Sequence, residues 1–209
     1  MRQLARLLAL ALALPLLGAG AGLAGTDQLP RAFHQPISVE RPDQALFNAA
    51  VLYYSNAVRA AHGRAPLRPD AGLSRAAAEH AINMARLRIH SHELPVRGQA
   101  KLAQRMHRQS LKFRQGAENI AKDKLFRLLG RPISMSSRGC QFTYADTRQA
   151  VPIHTYASLA EQVVARWLAS PGHRASLLSR SYRRLGAGVG VDPHGPACGD
   201  LYLVQDFAD

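Results

Sequence analysis

Every stretch of helical periodicity in this chain precedes its strand-like stretches, and that order limits the folds open to it. Ala187 to Asp192 and Leu201 to Phe207 read as strands, with Pro193, Gly195, Pro196 and Gly199 between them as a natural reversal. Upstream, Leu46, Phe47, Ala50, Val51, Tyr54 and Val58 recur at helical spacing. They predict a helix over 42–61, with Pro42 suited to the first turn and Gly63 to the stop. An alanine-rich helix is expected from Ser74 to about Ile89, and Pro95 forbids its continuation. Ser158 and Glu161 match a capping box ahead of Val163, Val164, Trp167 and Leu168, and Pro171-Gly172 ends that helix. Helices first and strands last define an α+β class rather than an alternating α/β one.

A third helix is expected over 97–113. Arg97, Lys101, Arg105, Arg108 and Lys112 step by three or four residues, which would align them on one face opposite Leu102, Met106 and Phe113. Such a stripe is either a solvated face over an ordinary core or a dock for an anionic lipid or envelope polymer, and the chain's net charge of +13 favours anionic partners in general. Nucleic acid is not among the expected partners. Aromatic residues make up only 6% of the chain, too few for a stacking reader, and the N-terminus directs the protein out of the cell.

Residues 1–25 read as a signal peptide. Arg2 and Arg6 precede an apolar run from Leu7 to Leu17, shorter than the ~20 residues of a membrane span. Ala19-Gly20-Ala21 and Gly22-Leu23-Ala24 are both suitable cleavage sites. The expected location is therefore periplasmic or extracellular. Residues 26–40, with Pro30 and Pro36, read as a linker, and 41–209 as one domain interrupted by an irregular insertion at about 123–157. The chain has two cysteines, which excludes a disulfide-dense scaffold and a four-cysteine zinc site. An oxidising compartment favours a disulfide between Cys140 and Cys198.

Some motifs fail on inspection. His92-Glu93 opens an H-E-x-x-H pattern, but position 96 is valine and Pro95 breaks the required helix. Gly186, Gly188 and Gly190 lack the spacing of a nucleotide loop and lead into no helix, so they read as strand glycines. Ser170 and His173 lie three residues apart, yet nothing in the sequence orients the imidazole as a base. His92 and His173 stand out from the other histidines because each follows a predicted helix end, where a side chain can turn into a shared cleft. Glu118 lies in a short polar segment, Gly116 to Ala121. Two imidazoles and a carboxylate are the parts of an open three-ligand zinc site, and equally of a hydrogen-bonded tie between segments.

Taken together, these segments resemble the CAP superfamily, the cysteine-rich secretory, antigen 5 and pathogenesis-related 1 (SCP domain) group, in its bacterial secreted branch. The resemblance rests on Asn56-Ala57-Val58-Arg59 with Gly63 and Leu67, then His80 to Met84 leading to Ser91-His92. It continues through Ala117-Glu118-Asn119-Ile120-Ala121, Trp167 to Arg174, Tyr182 with Gly188 and Gly190, and Tyr202 to Phe207. It implies an α-β-α sandwich, with helices on both faces of a mostly antiparallel sheet. The family cleft commonly presents two histidines and two glutamates. His92, Glu118 and His173 match three of them, and Ser170 stands where the second glutamate would fall.

Two functions from different classes follow. One is a secreted, non-catalytic module that binds a lipid or another small apolar ligand, as the resemblance implies. The other is a metal-dependent hydrolase of peptide or cell-wall material, with zinc or another divalent cation at His92 and His173. The missing carboxylate at Ser170 removes one partner of an acid/base pair and favours the first reading, which requires no cofactor. The sequence does not define an oligomeric state.

Overall fold

The computed structural model describes residues 29–137 and 139–209. The segment read as a signal peptide lies outside the described residues.

The last two strands form the centre of the molecule. β5 (Arg184–Asp192) and β6 (Asp200–Ala208) pair antiparallel, and β6 pairs antiparallel with β2 (Gly116–Lys124). The short β1 (Arg68–Pro69) runs parallel to the start of β5, giving the order β1-β5-β6-β2. Beyond β1 the edge of β5 is closed by side chains of α1 (Gln44–Ala61). Gln44 receives the Val189 amide on its oxygen and donates to the Val189 carbonyl, while Asn48 accepts from the Ala187 amide. Two amide side chains one helical turn apart thus stand in for a missing strand.

Alternation along the strands separates two cores. Leu185, Ala187 and Val189 of β5 and Leu201, Leu203 and Phe207 of β6 pack with α1 and with α4 (Tyr156–Ala169), whose Trp167 is almost fully buried. On the opposite face Ile120, Tyr202 and Val204 meet Ala77, Ala81 and Met84 of α2 (Ala71–Leu87). The architecture is the expected α-β-α sandwich. Gly186, Gly188 and Gly190 explain how α2 sits so close. A Cβ at Gly188 would lie 2.3 Å from the Ala78 backbone nitrogen, and one at Gly190 2.1 Å from the Ala81 carbonyl oxygen. The glycine run is therefore a seat for a helix backbone.

Several boundaries differ from expectation. The linker assigned to 26–40 is, from residue 29, part of the domain: Phe33 and Ile37 are buried in the larger core, and the Ile37 amide donates to the His154 carbonyl. The capping box begins at Thr155, not Ser158. Thr155 accepts from the Ser158 amide, and the Ser158 hydroxyl accepts from the Thr155 amide. The predicted helix over 97–113 shrinks to α3 (Leu102–Arg108), bracketed by left-handed residues at Gly98 and Ser110. The basic stripe consequently does not form. Arg97 and Lys112 lie outside the helix, and Arg105 is fully buried.

Pro171-Gly172 ends α4 but also starts a further helix, α5 (Pro171–Leu177). The insertion carries a hairpin of β3 (Ile133–Met135) and β4 (Phe142–Tyr144). The expected Cys140–Cys198 disulfide fastens it to the turn before β6, with the two Cα atoms 5.7 Å apart. Closing a loop of 58 residues removes unfolded-state entropy worth about 4 kcal/mol on the chain-entropy account.

Gly188→Ala should lower unfolding stability by about 1–3 kcal/mol in urea denaturation, because its Cβ meets helix backbone rather than a flexible side chain. Gly172→Ala, which points into open space, should stay within about 0.5 kcal/mol of wild type.

Candidate functional site

β2 and β6 place two carboxyl groups side by side on the face that α2 and α3 cover. Glu118 and Asp206 are direct cross-strand partners. The close seat of α2 brings in His80, α3 supplies Arg105, and the loop after α2 supplies His92.

Glu118 is the hub of this cluster. Its side chain is only 3% exposed. Arg105 donates from Nη2 to Oε2 at 2.5 Å, and His92 Nδ1 lies 2.8 Å from Oε1. Arg105 Nη1 also donates to the carbonyls of His92, Gln99 and Ala100, so one guanidinium holds both the carboxylate and the loop that carries His92. His80 Nε2 donates to the Ser91 carbonyl at 3.1 Å and sits 3.7 Å from Glu118 Oε2.

The electrostatics follow from burial and pairing. Burial opposes ionisation of Glu118, but the hydrogen bond from His92 and the charge of Arg105 outweigh it and hold the carboxyl below its ordinary range. The His92 imidazole is raised in return, chiefly by the Glu118 hydrogen bond. Burial drives His80 down to about 4, so it is neutral at physiological pH. Asp206 is pushed well above the carboxylate range, first by complete burial and then by the Glu118 charge. No donor reaches either Asp206 oxygen. Protonation removes the buried charge and makes one oxygen a donor towards Glu118.

The four residues singled out from the sequence fall in two hollows. His92 and Glu118 line one of about 460 Å³ beside α3. Ser170 and His173 line another of about 420 Å³ with His90, Arg166 and Trp167. Asn119 links them by donating to the His173 carbonyl at 3.2 Å. The charge of a protonated His92 reaches His173 and His90, both lowered mainly by burial. Ser170 shares its backbone between the end of α4 and the start of α5, and its hydroxyl makes no hydrogen bond to His173.

This donor set does not fit a catalytic metal. Both Glu118 oxygens are engaged, so of the three donors expected from the sequence only the His92 and His173 imidazoles remain, one short of an open three-ligand zinc site. Among the described residues no group of three or more His, Cys, Asp and Glu side chains is gathered for a metal ion.

His80, Arg105 and Asp206 were not read as site residues from the sequence. Asp206 carried a signal, since it is the one acid within the largely apolar run Leu201 to Phe207. Arg105 was concealed by the regular spacing of the other basic residues around it.

Residues 52–207 match the family model of CAP, the cysteine-rich secretory protein family, and the chain belongs to that family. Two solved structures are similar in fold. An extracellular SCP-domain protein from Bacillus anthracis is 20% identical with a TM-score of 0.53, and the match covers 83% of this chain but 44% of that one. An outer surface protein from Borrelia burgdorferi is 17% identical with a TM-score of 0.52, over 79% of this chain and 95% of that one. A comparison with curated protein sequences finds no match.

A buried acid that keeps its proton binds more protons in the folded state than in the unfolded one. Its presence therefore weakens folding as pH rises from the ordinary value of 3.8 towards the raised folded value. Asp206→Asn removes that penalty and keeps a donor towards Glu118. Thermal melts should show the variant gaining on wild type as pH rises from about 5 to about 8. A difference that stays constant with pH would contradict the assignment.

Proposed function

We propose that this CAP-domain protein is exported and acts as a non-catalytic binding module for a lipid or another small apolar ligand. The observation that carries the reading is a groove of about 590 Å³ between the N-terminal halves of α1 and α2. Its volume is that of a small-molecule site. Ala45, Pro69, Ala71 and Ala78 form apolar walls. The polar residues around them have partners elsewhere: Gln44 and Asn48 on β5, Asp70 at the α2 N-terminus and Arg184, Ser74 at the Asp70 carbonyl, and Arg75, the one charged side chain besides Asp70, through Nε at Gln109. The groove thus offers contact area without a free acid, base or nucleophile.

The hydrolase reading has less support. The carboxylate a hydrolase would use as a base is tied on both oxygens and held ionised by His92 and Arg105. Export is supported by the Cys140–Cys198 bond and by the extracellular and outer-surface descriptions of the two similar proteins. Among the described residues no helix is long and apolar enough to cross a membrane. A charge of +13, or +11 without Arg2 and Arg6 of the signal peptide, would draw the protein to an anionic envelope surface, where apolar ligands reside.

Titration with cis-parinaric acid, followed by its fluorescence, tests the reading. Wild type should bind. Ala45→Trp and Ala71→Trp, which fill the groove from exposed positions, should weaken binding at least tenfold with unchanged circular dichroism. Absence of binding, or binding that both variants leave intact, would overturn it.

A further inference from the structure

The far end of α1 carries a second feature, independent of the groove and of the Glu118 cluster. Arg59, Arg64, Arg180 and Arg183 converge on a hollow of about 250 Å³. Arg64 also lines an adjoining hollow of about 450 Å³, together with Arg174 and the apolar side chains Ala169, Pro171, Ala175 and Leu178. No Asp or Glu lines either hollow, and among the described residues none of these five arginines makes an ion pair.

The arginines differ in what they do. Arg59 is buried and shapes the floor: it donates from Nε to the Ala65 carbonyl and from Nη1 to the carbonyls of Leu177 and Ser179. Those bonds pin the turn after α1 to the segment after α5. Arg64 is half-buried, and its Nε is shielded from solvent with no acceptor. Among the described residues the Arg174 and Arg180 side chains have no hydrogen-bond partner, and Arg183 reaches only the Arg180 carbonyl. Burial and the neighbouring charges of Arg64 and Arg183 all disfavour the charge on Arg59. An isolated folded domain gains nothing from gathering unpaired guanidinium groups around a concavity, because like charges repel and a shielded donor without an acceptor is destabilising.

An anion resolves both problems. Guanidinium forks match phosphate oxygens in pairs, and a dianion offers enough acceptors for several of them at once. We propose that the arginine hollow binds a terminal phosphate group, with the phosphate among Arg64, Arg180 and Arg183 and any organic part of the ligand along Ala175 and Leu178 in the adjoining hollow. A phosphorylated lipid headgroup and free inorganic phosphate share this anion, and the two sources differ in whether the apolar hollow contributes.

Calorimetric titration of the full chain with inorganic phosphate, and with dodecyl phosphate kept below its micelle concentration, decides the matter. Both should bind wild type. Arg64→Gln/Arg180→Gln should weaken both at least tenfold. Arg180→Gln alone, on an exposed side chain, should weaken them at least threefold. Arg31→Gln/Arg97→Gln, with the same net charge but away from the hollow, should bind like wild type. Ala45→Trp should leave inorganic phosphate binding unchanged, which separates this site from the α1–α2 groove. Tenfold tighter binding of dodecyl phosphate than of inorganic phosphate supports the site with a lipid headgroup as its source, and equal binding supports it with free phosphate as its source. Absence of binding by wild type, or the same loss in the Arg31→Gln/Arg97→Gln control, would overturn the proposal.

Discussion

The ion pair between Arg105 and Glu118 is the constraint around which one whole layer of the molecule is arranged. Desolvation costs several kcal/mol for each buried ion, and neither residue could occupy its position without the other. The same guanidinium holds down the loop after α2 through three carbonyl contacts. The pair also explains the protonation of Asp206. With one carboxylate already balanced by one arginine, a second buried negative charge has no counterion. The cluster is therefore a structural anchor that presents one exposed imidazole, His92, at the surface.

The anchor can assemble only because α2 lies directly on β5. Glycines at alternate positions leave that strand face without Cβ atoms, and small side chains on α2 meet it. The helix approaches far enough for His80 to reach the β2 carboxylate. On the other face the same sheet carries a mixed aliphatic and aromatic core, crossed by one polar chain in which Asn119 donates to Gln205 and Gln205 to Ser55. Packing and charge thus divide between the two faces.

This division decides what could be read from the sequence. α1, α2, α4 and β5 were legible because one apolar face on each sets a clear period, and β6 because its apolar run, buried on both faces, follows a cluster of turn residues. β2 was not, since Glu118, Asn119, Lys122, Asp123 and Lys124 fill a strand whose polar groups find partners only across the sheet or on distant helices. The third helix misled for a related reason. Regular spacing of basic residues looks like a solvated stripe unless one knows that an acid on another strand awaits Arg105. Phe33 and Ile37 lie between prolines in a segment without periodicity, and only tertiary contact reveals them as core. For the site, the sequence showed His92, Glu118, Ser170 and His173 as positions of interest, but not how the carboxylate is neutralised.

How it is neutralised determines the chemistry. A carboxylate held ionised by a buried arginine is a poor proton acceptor, which is why a binding role fits this member of the family better than hydrolysis. Site-resolved carboxyl ¹³C NMR across a pH titration tests this most directly. The account predicts that the Glu118 signal stays at its ionised position between about pH 5 and pH 8, while Asp206 remains protonated at the acidic end of that range. Proton uptake by Glu118 within that range would show a group poised for acid–base work and would contradict the account.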